Sequence, residues 1–399
     1  MSPFLEKIKA WIIKYELFLS FITALVLIKV VWVVWGCWSI GNYEKEKNDV
    51  LQRRNWLVDK IVVEPRQLFR EMPGGLGLQF QGEWALYSCS MLSKALANIS
   101  ILYPETKQVS IDAIDSLIQI VKSPELRLYD KMRWGEDPLD SLAGDKSHIS
   151  YLSHLAWMIG NYRKIGGSDK YNTLHDSLCE SMNRRILKSE CLNLPTYPGE
   201  DIYIPDMLVA IVALSDYAKL NNGKYQNTVN RWVQRAKTEW IDSETGLLRS
   251  FLPFDGDTSV KSPIKGSYST LNTYYLTQID SAFAENQYAH LKEVFLKDSW
   301  LTGFKEYSDG SGFLGMDVDA GPIIFGLSPS GTAFGIGCAT YFNDMELRKH
   351  LLKTAEIAGH TVSWNDKRHY LLANVALVGE AITLAMRTHI YNYGIKLEQ

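Results

Sequence analysis

The sequence has few cysteines and no excess of charge of either sign. No C-x-x-C pair and no Cys/His cluster occurs, which argues against a disulfide scaffold and a zinc site. Acidic and basic residues are interspersed around a net charge of −3, so no basic stripe is available for nucleic acid. We expect no nucleic-acid partner, no metal and no cofactor. The five cysteines are scattered: Cys37, Cys89, Cys179, Cys191 and Cys338.

Strand-like alternation of apolar and polar residues is also nearly absent. Long apolar stretches with helical periodicity alternate instead with loops rich in Gly, Pro, Asp and aromatic residues. Of the 399 residues, 46% are hydrophobic and 12% aromatic, which is enough for a large buried core. The pattern predicts an all-α protein.

The longest apolar run lies near the N-terminus. Residues 17–38, LFLSFITALVLIKVVWVVWGCW, have the length of a bilayer-crossing helix, with Lys29 as their only charge. A cleaved signal peptide is the alternative, but the run is longer than a usual h-region and no small-x-small cleavage site follows it. We predict an uncleaved single-pass membrane anchor over 1–40, a juxtamembrane helix or linker over 41–70, and a soluble domain over 71–399.

Helix starts with polar and aromatic residues recur through the soluble domain, roughly 50 to 65 residues apart, which leaves room for two helices per unit. Between them lie amphipathic helices such as 170–188 and 225–241, whereas 207–218 and 374–386 are apolar nearly all round. The recurring segments are QGEWALYSC (81–89), KSHISYLSH (146–154), DIYIPDMLV (201–209), GSYSTLNTYY (266–275), DVDAGPIIFG (317–326) and KRHYLLAN (367–374).

Six hairpins, each with a buried helix followed by an amphipathic one, predict two concentric rings of helices, an (α/α)6 toroid. The last unit lacks its second helix, so we expect residues 50–72 to supply it and close the ring. A helical solenoid is the alternative. Only a closed ring brings all six helix starts to one central site.

Two family resemblances accompany this pattern. TEWIDSETGLLRSF (238–251) resembles the hairpin linker of the six-hairpin glycosidase superfamily, which includes hydrolases, lyases and epimerases. RWGEDPLD (133–140), YLSHLAWMIGNYRK (151–164) and Cys191 resemble segments of the linalool dehydratase/isomerase family, also an α/α toroid. That family uses two cysteines, and here the region of the second is the acidic PGED.

If the ring closes, the helix starts deliver carboxylates and aromatic side chains to one end of it. Aromatic faces stack on sugar rings, and glycoside cleavage needs two carboxyl groups, one protonated and one ionised. Our catalytic candidates are Asp319, Asp317, Asp206, Asp201 and Asp137, with helix capping or a turn as the structural alternative for each. Our substrate-binding candidates are Trp84, Trp134, His148, Tyr151, Tyr203, Tyr268, Asn272 and His369.

These features predict a membrane-anchored carbohydrate-active enzyme acting on a glycan of the cell envelope, with hydrolysis first and lyase or epimerase chemistry next. Basic residues flank the apolar run on both sides, so its orientation stays open, although an envelope glycan places the domain on the extracytoplasmic side. A dehydratase/isomerase acting on an isoprenoid-type alcohol would require Cys191 and Tyr203 to point into a dry cavity. A non-catalytic glycan-binding or scaffold protein would lack facing carboxyl groups.

Overall fold

The computed structural model describes residues 3–75, 77–253 and 263–389. Helices dominate these residues and alternate between buried and amphipathic types. The helices are α1 (Pro3–Gly36), α2 (Tyr43–Ile61), α3 (Pro65–Glu71), α4 (Leu78–Leu102), α5 (Lys107–Lys122), α6 (Pro124–Trp134), α7 (Ile149–Lys164), α8 (Asn172–Lys188), α9 (Ile204–Leu220), α10 (Gln226–Glu239), α11 (Gly266–Leu276), α12 (Ser281–Phe295), α13 (Pro329–Tyr341), α14 (Met345–Gly359) and α15 (Leu377–Arg387).

Short antiparallel strand pairs lie between some of the helices. The longer two pairs are hairpins that precede α13 and α15, respectively. The strands are β1 (Ile202–Tyr203), β2 (Phe251–Leu252), β3 (Leu296–Lys297), β4 (Gly303–Phe304), β5 (Leu314–Asp317), β6 (Gly321–Ile324), β7 (Thr361–Trp364) and β8 (Lys367–Tyr370), paired β1 with β2, β3 with β4, β5 with β6, and β7 with β8.

Six buried helices form a closed ring. In order around the ring, α4, α7, α9, α11, α13 and α15 each pack against the next, and α15 packs back against α4. Outside them, α5, α8, α10, α12, α14 and α2 each pack against one or two inner helices. The prediction of a helical protein is confirmed, and the hairpins close into a ring rather than an open solenoid.

Sequence periodicity explains which helices lie inside. Every residue of α11 is buried, as are all residues of α9 from Ile204 to Ala218, because neighbours surround these helices on all sides. In α10 the buried residues are Thr228, Val229, Trp232, Val233 and Ala236, which form one stripe at helical spacing. The opposite face of α10 is solvated, as expected for an outer helix.

The segment 41–70, predicted as a helix or linker, contains helix α2, which belongs to the outer ring. Helix α2 packs against α15 and α4, and its Val50, Leu57 and Ile61 are buried in the common core. The charged residues of α2 that are buried and form ion pairs inside the protein are Glu46, Asp49 and Arg53. Residues 390–399, included in our domain boundary, lie outside the described part of the chain.

Two of the predicted helix starts are strands. DVDAGPIIFG forms the β5–β6 turn and β6, and KRHYLLAN forms β8 and a short 3-10 helix. Helix capping, one structural alternative for Asp319, is therefore wrong, because Asp319 lies in the turn before β6 and Pro322 lies within β6. Helix α13 begins seven residues later, where the Ser328 hydroxyl caps the Gly331 amide at 3.1 Å.

The glycines of α13 serve close packing. A Cβ on Gly335 would lie 2.3 Å from the Phe304 ring, and a Cβ on Gly337 would lie 2.4 Å from the sulfur of Met386 in α15. The contacts favour packing between neighbouring inner helices.

Among the residues that the structure describes, two helices are long and apolar enough to cross a membrane. Lys14–Ser39 is exposed throughout its most apolar window, whereas Leu78–Leu102 has 78% of that window buried inside the protein. The second is therefore the core helix α4. The first is most of α1, which touches the rest of the protein near its C-terminal end.

Candidate active site

Asp206 is a buried carboxyl group held by side chains of two other segments. It lies in the first turn of α9 and is 1% exposed. The Tyr87 hydroxyl donates to its Oδ1 at 3.1 Å, and the Thr196 hydroxyl donates to its Oδ2 at 2.9 Å. Helix capping therefore does not explain Asp206, because its oxygens accept from side chains and α9 has no side-chain cap.

The environment of Asp206 favours its protonated form. Burial raises its pKa to about 7, and the negative charge of Glu83 contributes to the rise, while the hydrogen bond from Thr196 opposes it. A carboxyl group that titrates near neutral pH can hold a proton and release it under working conditions, which is the property of a general acid.

Glu83, a neighbour of Asp206, is held in an ion pair with Arg133. Arg133, at the end of α6, donates to its Oε2 at 3.1 Å, and the Tyr197 hydroxyl donates to the same oxygen at 3.1 Å. Ser150 of α7 donates to Oε1 at 3.4 Å. The Arg133 guanidinium also lies over the Tyr197 ring, 3.9 Å from its centroid. The Glu83–Arg133 ion pair thus holds the side chains on one side of Asp206 in place.

Asp319 approaches from the β5–β6 hairpin. Its Oδ2 accepts a hydrogen bond from the hydroxyl of Tyr268, near the start of α11. Asp319 keeps exposed surface, but nearby protein atoms remove enough hydration to raise its pKa, and the charge of Asp317 adds to this effect. The Tyr268 hydrogen bond works in the opposite direction because it stabilises the carboxylate.

Asp317 shapes the turn that carries Asp319. Its Oδ1 accepts from the backbone amides of Asp319 and Ala320, both at 2.9 Å, and its Oδ2 accepts from Lys265 at 2.6 Å. Although burial opposes the ionised form, the Lys265 hydrogen bond and these amides leave the pKa of Asp317 below its ordinary value. We assign Asp317 a positioning role, with its charge neutralised by Lys265.

Tyr203 faces both acidic groups. Strand β1 pairs Tyr203 with Phe251, which sets its backbone next to the start of α9. Burial raises the pKa of Tyr203 well above its ordinary value, and the charges of Asp319 and Asp206 raise it further. Its ring packs edge-on to that of Tyr268, with 5.3 Å between the centroids. Tyr203 thus stays protonated and can donate to a ligand between the two acids.

Together these residues form one site at the N-terminal ends of the inner helices. We call Glu83, Asp206 and Asp319 the carboxylate cluster. Glu83, Tyr87, Tyr197 and Tyr203 are only half-buried, although they lie at the ring's centre, so solvent reaches the cluster. Within the described residues, no group of three or more His, Cys, Asp and Glu side chains is arranged to hold a metal ion.

Two other acidic candidates lie elsewhere. Asp137 accepts from Arg127 at 2.5 Å and from the Leu139 amide at 3.0 Å, as a residue that stabilises a turn does. Asp201 is exposed on the approach to β1. The geometry brings neither carboxyl group into contact with the cluster.

His148 and Trp134 lie behind the Arg133 side of the site. The Nδ1 atom of the buried His148 is 2.5 Å from Oδ2 of Asp130, and its Nε2 is 3.4 Å from Oε1 of Glu136. Trp134 packs against the His148 ring with 5.7 Å between centroids. Burial raises the pKa of Asp130. The His148–Asp130 pair supports the segment that carries Arg133 and is not exposed to a substrate.

The remaining binding candidates are mostly structural. Tyr151 is fully buried and donates to the Val121 carbonyl at 2.9 Å. Asn272 is buried and donates to Ser250 at 3.2 Å. His369 lies in β8, where its ring stacks on Trp56 of α2 at 4.1 Å. Trp84 is half-buried one residue from Glu83 and contacts Phe80, which leaves it at the edge of the cluster.

Several residues of the site were absent from our sequence-based selection: Glu83, Tyr87, Arg133, Thr196 and Tyr197. Tyr87 had a detectable signal, because it follows Glu83 by one helical turn and shares its face of α4. Arg133 and Tyr197 come from segments far from Glu83 in sequence, 50 and 114 residues away. Their roles depend on ring closure, which no local pattern contains.

Cys191, required by the dehydratase/isomerase hypothesis, lies outside the cluster. Its sulfur is 3.3 Å from the Ser189 hydroxyl and 3.7 Å from the Asn193 carbonyl, on the loop that follows α8. Only Tyr203 of the two expected residues is at the site.

Two surface hollows, of about 480 and 410 Å³, also lie elsewhere. The first is lined by apolar residues of α1, and the second lies between α10 and α12. Neither is lined by a carboxyl group, so neither offers the acid/base chemistry of the cluster.

Tyr268→Phe tests the contact that governs Asp319. Removing the hydroxyl removes a hydrogen bond to the carboxylate, so the pKa of Asp319 should rise and the acidic limb of the pH–rate profile should move to higher pH. The measurement is the pH dependence, from pH 3 to 9, of any hydrolytic activity that the protein shows. Tyr274→Phe, which alters a buried tyrosine of the same helix, is the matched control and should leave that limb in place. An unchanged limb in Tyr268→Phe would mean that Asp319 does not set it.

Comparison with known proteins supports the fold. No family model matches the chain. A solved structure described as a family 105 glycoside hydrolase from C. acetobutylicum ATCC 824 is similar, with a TM-score of 0.54 and 12% sequence identity over 75% of this chain and 92% of that chain. At this identity the likeness concerns the fold alone. The chain is mostly helical, with a fold similar to that of this solved structure, and the resemblance to the linalool dehydratase/isomerase family receives no support.

Proposed function

We propose that this protein is a membrane-anchored carbohydrate-active enzyme that cleaves a glycan of the cell envelope, with glycoside hydrolysis as its reaction. One observation carries the proposal. Asp206, buried with a pKa raised to about 7, and the more exposed Asp319 both face Tyr203 at the open end of the ring. Two carboxyl groups in unlike environments are what acid/base cleavage of a glycosidic bond requires.

The environments of Asp206 and Asp319 indicate the catalytic role of each. Asp206 donates a proton to the leaving oxygen, since its burial keeps that proton near neutral pH. Asp319, which retains exposed surface, is the second carboxylate and activates water or attacks the sugar directly. Glu83 forms an ion pair with Arg133, and its charge adds to the burial that raises the pKa of Asp206. The Tyr197, Tyr203 and Tyr268 rings offer faces and hydroxyls to the sugar.

The same observation separates this proposal from its rivals. A scaffold protein that has lost catalysis has no need to keep a buried carboxyl group with a raised pKa next to a second acid, because burying such a group costs stability. A dehydratase/isomerase of the kind considered above needs Cys191 at the site, and its sulfur contacts Ser189 and Asn193 instead.

The contacts of α1 support a retained anchor rather than a cleaved leader. Trp32 donates to the Thr361 carbonyl at 2.5 Å, and Lys29 donates to the Ile357 carbonyl at 2.6 Å. A leader that is removed after export has no use for such contacts with the folded domain. An extracytoplasmic domain would place the site beside envelope glycans.

The test compares the full chain with Asp319→Asn. Purified protein in detergent is incubated with a panel of aryl glycosides and cell-envelope polysaccharides, and new reducing ends are measured and identified by mass spectrometry. We expect at least a tenfold lower rate in Asp319→Asn, because the amide cannot act as base or nucleophile. Asp309→Asn, which changes an exposed aspartate on a nearby loop, is the control and should match the unaltered protein. Equal product release by Asp319→Asn would refute the proposed mechanism.

A further inference from the structure

Two β-hairpins at the site end of the ring expose large apolar side chains. In β5 and β6, Met316 is 78% exposed and Leu314 68%. In the β7–β8 region, Trp364 is 79% and Val375 70% exposed, and Leu371 and Leu372 are about half exposed. Single exposed apolar residues are common on protein surfaces, but groups of them mark a surface that meets an apolar partner.

Both hairpins lie at the same end as the carboxylate cluster. Asp319 is in the turn of the β5–β6 hairpin and contacts Tyr268 at the start of α11. The β7–β8 hairpin leads into the start of α15, another inner helix. Because the starts of the inner helices surround the cluster, the exposed apolar residues border the opening of the site.

Helix α1 leaves the protein at this end. Its Gly36 accepts from Arg368 at 3.2 Å and lies against Glu356, whereas Lys29 reaches Ile357 and His360 at the end of α14. Earlier residues of α1 therefore lie nearer the end of α14 and beyond it. Helix α14 follows inner helix α13 after a short turn and runs back alongside it, so α14 ends where the site opens. The residues before Lys29 extend roughly 40 Å past that end.

Lys29 also indicates how far the folded domain would reach into the bilayer. It lies seven residues before Gly36, or about 10 Å inside the apolar run at 1.5 Å per residue. A lone ammonium group at that depth is costly in a bilayer, and here it donates to the Ile357 carbonyl at 2.6 Å. The Trp32 indole similarly donates to the Thr361 carbonyl. The corner between α14 and β7 thus supplies polar partners at the depth of the only charge in the apolar run 17–38.

We propose that the end of the ring that carries the carboxylate cluster rests on the lipid bilayer, with the β5–β6 and β7–β8 hairpins inserted among the lipid headgroups. The inference rests on the membrane anchor of the proposed function. The occupant of this surface is lipid rather than a protein, because the apolar residues continue from the exposed face of α1, and Trp364 is a residue type favoured at membrane interfaces. The carboxylate cluster then faces the headgroups.

Spin-label accessibility tests the proposal on the full chain in nanodiscs of phosphatidylcholine and phosphatidylglycerol. In a Cys37→Ser, Cys191→Ser background, the other three cysteines are buried, and single labels are introduced by Met316→Cys or Trp364→Cys. We expect both labels to be relaxed more by oxygen, which partitions into lipid, than by a water-soluble nickel chelate. Both positions are exposed, so the substitutions leave the core unchanged.

Two further labels separate the possible outcomes. Val109→Cys, at an exposed apolar position at the start of α5 and thus at the opposite end of the ring, should report water, and Val26→Cys in α1 should report lipid. If the labels at 316 and 364 report water while the label at 26 reports lipid, the docking proposal is overturned and the anchor stays intact. If the label at 26 also reports water, the anchor is refuted and the docking proposal with it.

Discussion

Asp206→Asn is expected to lower the rate of glycan cleavage by about 10²–10⁴-fold, the contribution typical of a general acid. The amide has nearly the same shape and can still accept the Tyr87 hydrogen bond, but it cannot deliver a proton. Because the pKa of Asp206 is raised to about 7, the rate of the unaltered protein should fall as the pH rises above about 7. The measurement is the pH dependence of kcat/KM with any substrate found in the glycoside panel.

Asp201→Asn is the matched control for this substitution. Asp201 is five residues away on the same segment and is exposed, so its amide variant should retain activity within about twofold. If Asp206→Asn keeps the full rate, or if the alkaline limb of the profile survives in whatever activity remains, Asp206 is not the proton donor.

A stability measurement separates catalysis from folding. Asp206 has a folded-state pKa above its unfolded value of 3.8, so its contribution to stability is fully present below that value and is lost as the pH rises toward about 7. The loss is on the order of 1 kcal/mol per pH unit within this window. Asp206→Asn should therefore unfold with a weaker pH dependence between pH 4 and 7. A variant that is inactive yet equally or more stable at pH 8 has lost chemistry rather than structure.

The sequence was sufficient to predict the ring because its evidence is local and repeated. Helices such as α9 are apolar on all faces and helices such as α10 on one, which distinguishes inside from outside without any contact information. The twelfth helix, which the last hairpin lacks, was also predictable by counting the helices of the six hairpins. The two hairpins were not, because four-residue strands whose side chains face solvent lack the alternating pattern that identifies a half-buried strand.

The candidate site was only partly predictable for a related reason. Asp206, Tyr203 and Tyr268 follow from their positions near helix starts, whereas Asp319 was selected at a predicted helix start that is a hairpin turn. The difference between the roles of Asp319 and Asp317 was not predictable. It depends on which carboxylate Lys265 neutralises, and Lys265 is 52 residues from Asp317 in sequence. The same holds for Arg133, whose partner Glu83 is on another helix. Residue type and spacing identify candidates, whereas the charge state of each depends on contacts made after folding.

Arg53→Ala is expected to lower the free energy of unfolding by about 3–5 kcal/mol, the usual cost of removing one partner from a buried ion pair. Arg53 of α2 is fully buried. Its guanidinium donates to Glu380 of α15 at 2.7 Å, to Glu356 of α14 at 3.1 Å and to Asp49 at 3.2 Å. The substitution leaves these carboxyl groups in the interior with less compensating charge. The measurement is denaturant unfolding of the full chain, followed by tryptophan fluorescence.

Arg54→Ala is the control. The Arg54 side chain donates to the adjacent Asn55, so its removal should lower the free energy of unfolding by less than about 0.5 kcal/mol. The loss in Arg53→Ala should be larger at pH 8 than at pH 5. Burial already raises the pKa of Glu380, and without the guanidinium it should rise further, so protonation at pH 5 would relieve part of the cost. A loss that is equal at both pH values would mean that Arg53 acts through packing alone. The predicted pattern would show that this charge network holds α2 against α14 and α15, where the first and last helices of the ring meet.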